Sequence, residues 1–294
     1  MGAVGARALA LIVAGVLAVA LSARAADPAA DADGGWRHLI DKLVADGVDR
    51  STAERVFRDP NVPTFDGLTY SLVPRESQAP YRNFLKNDSV RRARRCKQDY
   101  ESALRRAERD YAVDHNVVTA ILFVETQCGH FTGNYRVLHR LARLAMANEP
   151  ANVNRNVNDH LATHRDRPAA EVVTLSRQRA QYLEDTFYPE VLATFTIARR
   201  LGIDPLGIRG SGAGAFGMPQ FLPTNYLKYG VDGNGNGRVS LFDPDDAIAS
   251  CANYLKAHGW QPGLPRDERR KVIWKYNRSE PYVETILSLA DSLR

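Results

Sequence analysis

Apolar positions recur at spacings of three and four along most of the chain. Trp36, Leu39, Ile40, Leu43 and Val44 form one such series, and Val56 and Phe57 continue it beyond a Gly-containing turn, so 36–58 predicts two short helices. Residues 59–82 carry Pro60, Pro63, Pro74 and Pro80 and predict an extended connector. The helical spacing returns over 83–147, with breaks near 113–116 and 129–136. Residues 148–168, rich in Asn, His, Arg and Pro, predict a polar loop or short insertion. A further helix is expected over 169–201, with Pro189 placed to kink it. A Gly-rich stretch leads to DGNGNGRVSLFD at 232–243, and helices are expected at 245–258, 267–276 and 280–293. No internal repeat and no convincing β-sheet pattern is present, so the fold class is mainly α.

The first residues stand outside this pattern. Arg7 precedes the apolar run LALIVAGVLAVAL, which ends at Ala23-Arg24-Ala25. A basic start, an apolar stretch and a small-x-small exit describe a signal peptide over 1–25, and hence an exported, periplasmic-type location. Contact with the membrane is expected only if this leader stays uncleaved. The remaining division predicted is an N-terminal helical region with its connector at 26–85, and a larger domain at 86–294.

The chain has 294 residues and a formal charge of +5. Without 1–25 it loses Arg7 and Arg24 and keeps +3. A mild basic excess suits an anionic polymer. The densest run, RRARR at 91–95, has no interleaved aromatic residues and reads as a solvated helix face, so nucleic acid is not an expected partner. There are three Cys, at 96, 128 and 251. In an oxidising compartment that allows one bridge, and Cys96–Cys128 is the expected pair, because Cys251 lies in an apolar helical stretch. His160 and His164 are four apart without an evident third ligand, which argues against zinc.

One carboxyl group is out of place. In VDHNVVTAILFVETQCG, 113–129, Asp114 or Asn116 can cap a helix that runs to about Gln127, with Gly129 to end it. Val117, Ile121 and Glu125 then share a face that is otherwise apolar. Glu125 also falls in the last turn, where the helix dipole disfavours negative charge. Both effects favour its protonated form, which is the form required of a general acid in glycosidic cleavage.

VETQCG, GSGAGAFGMPQFLPTNY (210–226), VDGNGNGRVSLFDPDDA and WKYNRS occur in that order. Together they resemble the lytic transglycosylase B family of bacterial cell-wall enzymes, glycoside hydrolase family 103, across residues 100–290. The resemblance implies a lysozyme-like helical core and a groove for peptidoglycan glycan strands. It implies that Glu125 protonates the oxygen between N-acetylmuramic acid and N-acetylglucosamine, then acts as base while the 6-hydroxyl closes a 1,6-anhydro ring. The 2-acetamido group can support the cation, so no second carboxylate is required. A muramidase that uses water on the same bond, and a noncatalytic glycan-binding protein, are the rival readings. Carried over by motif, Ser211, Met218, Gln220, Phe221 and Tyr226 belong to the groove-lining segment. Tyr276 matches a tyrosine able to hydrogen-bond near the acid, and Asn277 its neighbour. Cys128 departs from the pattern, standing where an aromatic residue is common.

The loop from Asp232 places Asp232, Asn234 and Asn236 at the first, third and fifth positions of a calcium-type loop, with the carbonyl of Arg238 at the seventh. The resemblance implies closure by Asp246, with Asp243 as the alternative. Two carboxylates and two amides imply weak binding, about 10⁻⁴–10⁻³ M, and a structural clip rather than a sensor. No cofactor is expected for the chemistry itself. The chain is expected to be a monomer, with cell-wall machinery as a further class of partner.

Overall fold

The computed structural model describes residues 33–73 and 79–294. The expected signal peptide lies outside the described residues. Thirteen α-helices occur among those described: α1 (Arg37–Ala45), α2 (Arg50–Phe57), α3 (Ala79–Arg82), α4 (Asn87–Asp99), α5 (Glu101–Tyr111), α6 (His115–Thr126), α7 (Val137–Ala145), α8 (Pro150–Thr163), α9 (Ala169–Leu201), α10 (Pro223–Tyr229), α11 (Pro244–Ala257), α12 (Arg266–Tyr276) and α13 (Glu280–Ser292). Strand is confined to the two-residue pieces Tyr135–Arg136 and Arg209–Gly210. The class is mainly α.

The described residues group into two compact units that do not follow a division at 85/86. One comprises 33–73 and 135–208, the other 79–134 and 209–294. Each is built from segments distant in sequence.

In the first unit, α7 and α8 pack on the long helix α9, which runs unbroken through Pro189. The segment 148–168 is not a loop: it holds α8, and this corrects the sequence expectation. Glu149 caps α8 through the N–H groups of Ala151 and Asn152, and Pro150 occupies the first turn, where no N–H is needed. Its inward face is polar. Asn152 accepts from the Leu68 N–H at 2.8 Å, Asn156 donates to the Leu68 carbonyl at 2.8 Å, and His160 joins the Tyr70 carbonyl at 2.7 Å and Ser176 Oγ at 2.8 Å. The helix therefore satisfies the backbone groups of Leu68 and Tyr70 in the proline-rich connector, which forms no strand ladder among its described residues.

In the second unit, α6 is the central element. Every residue from His115 to Thr126 is buried. It packs against α4, α5, α11 and α13, and α11 also packs on α5. The apolar side chains Val117, Ile121, Leu122 and Val124 lie within 1 % of full burial. Each such side chain contributes roughly 1.5–3 kcal/mol relative to exposure, so this helix has little freedom to move.

Candidate active site around Glu125

The end of α6 is fixed from several directions. At its start, Asp114 accepts from the Asn116 N–H at 2.8 Å. At its end, Gln127 N–H bonds the Phe123 carbonyl and Cys128 N–H bonds the Leu122 carbonyl, both at 2.9 Å, while Gln127 and Cys128 take left-handed φ values of 50° and 59°. Such values are unfavourable for side-chain-bearing residues. A disulfide from Cys128 to Cys96 on α4 holds the turn. Thr126 Oγ1 accepts from Gly129 N–H and donates to the Met218 carbonyl, each at 2.9 Å.

Glu125, one residue earlier, is 4 % exposed. Burial pushes its carboxyl up to about 8, against a smaller downward pull from a hydrogen bond. That bond comes from Tyr282, whose hydroxyl donates to Oε1 at 2.7 Å. No charged group contributes to the shift, and Oε2 has no hydrogen-bond partner among the described residues. The arrangement is a neutral carboxylic acid near pH 7, held from one oxygen.

The structure distributes the other predicted residues unevenly. Phe216 and Phe221 pair as a short antiparallel bridge, and the turn between them presses on Leu241. A Cβ at Gly217 would lie 2.3 Å from Leu241 Cβ, so only glycine fits there. Met218 and Phe221 are buried, at 2 % and 1 % exposure. Met218 N–H donates to the Leu241 carbonyl at 2.7 Å, and its side chain lies against Gly129. Phe221 packs between Tyr254 and Tyr276, with ring centroids at 5.6 and 6.0 Å. Both side chains are therefore packed in the core beneath the segment that the motif places in the groove. Gln220 donates to the carbonyls of Gly217 at 2.9 Å and Thr132 at 3.2 Å. Ser211 Oγ accepts from Ala215 N–H at 3.2 Å and closes its turn. Tyr226 donates to the Val239 carbonyl at 2.9 Å. Asn277 ends α12, and its carbonyl accepts from Ser279 N–H at 2.8 Å.

Tyr276 does not bond the acid. Its hydroxyl donates to the Pro219 carbonyl at 2.5 Å and also meets the buried thiol of Cys251. Its ring stacks nearly parallel to that of Tyr282, 6.4 Å away. The donor to Glu125 is Tyr282, which the motif comparison passes over. A signal for it does exist. Ser279 and Pro281 mark a helix start, and Tyr282, Ile286 and Leu289 share its inward face, so the tyrosine hydroxyl must find a buried partner. Burial raises both tyrosines well above their ordinary pKa, which keeps them neutral donors.

The calcium-type loop is folded around its own carboxylates. Asp232 accepts from the N–H groups of Gly235 and Gly237 at 2.7 Å and Asn236 at 3.0 Å. Asn234 accepts from Asn236 N–H at 3.0 Å, and Asn236 from Arg238 N–H at 2.9 Å. Asp246 is fully buried; its two oxygens accept from Gly233 and Ser240 N–H at 2.8 and 2.7 Å, and no cationic side chain pairs with it among the described residues. A buried carboxylate without a cation, beside amide and carbonyl oxygens, is a donor set suited to calcium. Asp243, the alternative closing ligand, caps α11 instead, accepting from Asp245 N–H at 2.9 Å.

Residues 31–270 match the family described as Transglycosylase SLT domain. The chain belongs to that family. It is 36 % identical over 182 residues to membrane-bound lytic murein transglycosylase B of Escherichia coli K12, a match spanning 62 % of this chain and 42 % of that relative, less than half its length. Among solved structures, the E. coli lytic transglycosylase SLT35 in complex with bulgecin A is 25 % identical, with a TM-score of 0.63 over 88 % of this chain and 92 % of that one. The same enzyme in complex with calcium is 26 % identical, with a TM-score of 0.64 over the same shares. The Transglycosylase SLT fold is thus the lysozyme-like, mainly α one.

Proposed function

We propose that this chain is an exported lytic murein transglycosylase that cleaves the bond between N-acetylmuramic acid and N-acetylglucosamine in peptidoglycan without consuming water. The observation that carries the reading is Glu125: a buried carboxyl raised to about 8 on the helix that opens the family's motif set.

Below that pH Glu125 is protonated and its Oε2 can donate to the bridging oxygen, so the leaving sugar departs as an alcohol. The substrate's acetamido group supports the cationic sugar, consistent with the lack of any carboxylate among the groups that shift Glu125. The Glu125 carboxylate formed by this transfer then removes the proton of the 6-hydroxyl, which attacks its own anomeric carbon and closes the anhydro ring. Tyr282 stabilises that carboxylate, because a hydrogen bond to an ionised acceptor is stronger than one to a neutral acid. Ser211, Gln220, Tyr226, Tyr276 and Asn277 shape the walls of the glycan groove, with Met218 and Phe221 beneath them.

Asp232, Asn234, Asn236, the Arg238 carbonyl and Asp246 would hold calcium. The ion would supply stability to the loop and take no part in the chemistry. Its family support is the calcium complex of a relative.

Digestion of purified peptidoglycan, read by mass spectrometry, tests the proposal. Fragments lighter by one water and lacking a reducing end are expected from the unaltered protein and not from Glu125→Gln. Ordinary reducing ends would mean a muramidase, and binding without release would mean a noncatalytic glycan-binding protein.

A further inference from the structure

Helix α7 faces the connector 59–67 within a single compact unit. Arg136, at the N-cap of α7, is followed at spacings of three, four and seven by His139, Arg140 and Arg143, which sets them on one side of the helix. The connector grips two of the three guanidinium groups. Arg136 Nη1 donates to the Asn61 carbonyl at 2.7 Å, and Arg143 donates to the Gly67 carbonyl at 2.7 Å and to Asp66 at 3.1 Å. Aromatic faces fix two of them in plane: Arg143 lies 5.7 Å above the Phe65 ring, and Arg140 lies 5.3 Å above Tyr135. The His139 ring meets Trp36 edge-on at 5.9 Å, and the Trp36 indole N–H donates to the Pro63 carbonyl at 3.1 Å.

Two nitrogens inside this cluster are buried and make no hydrogen bond, Arg136 Nε and His139 Nε2. Leaving a buried donor unmet costs roughly 1–3 kcal/mol. The local potential is positive. Burial first, then the charges of Arg143, Arg140 and Arg136, push His139 down to about 4, so it stays neutral at physiological pH. The carboxylates nearby are Asp66, 78 % exposed and paired with Arg143, and Asp59, half-buried, bonded to the Asn61 amides and within the field of Arg136. Neither reaches the two unmet nitrogens.

We propose that this side of α7 is a binding site for an oxyanion, whose oxygens accept from Arg136 Nε and His139 Nε2 between the guanidinium groups of Arg140 and Arg143. A planar carboxylate or a phosphate group matches guanidinium geometry, and either one supplies the acceptors that the protein itself withholds. The source offered by the proposed function is the carboxylates of peptidoglycan peptide stems. That choice of source rests on the transglycosylase reading, whereas the site does not. Free inorganic phosphate is the other source of the same chemistry.

The test titrates the full chain with an acetylated Ala-γ-Glu dipeptide and, separately, with inorganic phosphate at fixed ionic strength. Calorimetry reads affinity, and nitrogen resonances of labelled histidine report on His139. Saturable binding that shifts the His139 signals is expected, weakened about tenfold in Arg136→Gln and in Arg140→Gln, which is the loss of one charge-assisted hydrogen bond. Binding of the dipeptide assigns the stem carboxylates as ligand; binding of phosphate alone assigns the free anion. Unmoved His139 signals with both probes, or equal affinity in the folded Arg variants, would overturn the site. Glu125→Gln should bind both probes unchanged, so a failed transglycosylase reading and a failed oxyanion site give different results.

Discussion

Tyr282 and Glu125 are 157 residues apart in sequence and 2.7 Å apart at their side-chain oxygens. The bond holds Oε1 of the carboxyl group and leaves Oε2 without a hydrogen-bond partner among the described residues. Tyr282→Phe removes the only hydrogen bond the protein makes to this carboxyl group among the described residues. We expect kcat to fall about 10–100-fold, the scale of losing one donor to a developing charge, with KM little changed. The pH profile should move as well. Tyr282 holds the Glu125 pKa down, so the phenylalanine variant should keep its acid protonated to higher pH. Steady-state rates across pH on soluble glycan fragments check both effects.

Activity of the unaltered protein should decline as pH rises through about 8, where Glu125 loses the proton it must donate. A profile that stays flat through this range, with chemistry rate-limiting, would remove Glu125 from the role of acid.

The same shift enters stability. The folded state keeps a proton on Glu125 that an unfolded chain, with an ordinary carboxyl group, has released. The folded state thus binds more protons between the ordinary carboxylate range and about 8, and stability falls as pH rises across that window. Glu125→Gln is free of this term. It should be more stable than the parent at pH 8, and the gap should close towards pH 4, as read by denaturant unfolding at both values.

Reduction of Cys96–Cys128, which are 32 residues apart, should lower stability by roughly 3.7 kcal/mol, the loop-entropy scale for that separation. It should also lower activity, because the left-handed turn at Gln127 and Cys128 loses its clamp two residues beyond the acid. Thermal melts with and without reductant, alongside Cys96→Ser/Cys128→Ser, test this. Cys251, buried and unpaired, should react with thiol reagents only on unfolding.

Calcium at ten times its dissociation constant should stabilise the chain by about 1.4 kcal/mol, with secondary structure unchanged. Asp246→Asn should abolish the increment, because it removes the buried carboxylate of the set. An equal calcium response in that variant would place the ion elsewhere.

Helical periodicity carries most of the fold, since α6, α9, α11 and α13 each place apolar residues at helical spacing. Glu125 is visible as one carboxyl on an inward face. Helix α8 is not legible in this way, because Asn152, Asn156 and His160 among its buried residues are polar and bond a connector backbone, with Val153 the one apolar residue beside them. Polar side chains facing inward read as a loop. At Met218 and Phe221 motif membership does not tell burial from exposure. A segment that frames a groove needs residues beneath it as well as on its surface, and sequence does not separate the two. Tyr282 lies outside the motif, on a neighbouring helix, and its role exists only once α13 packs on α6.

A ribosome finishes α6 long before it makes α13. Until α4, α5, α11 and α13 have packed around α6, Glu125 is a water-facing carboxyl of ordinary acidity, ionised at neutral pH. The neutral acid is thus absent from the growing chain. Its raised pKa belongs to the finished fold and follows from burial by several packed helices, against the downward pull of Tyr282 on α13.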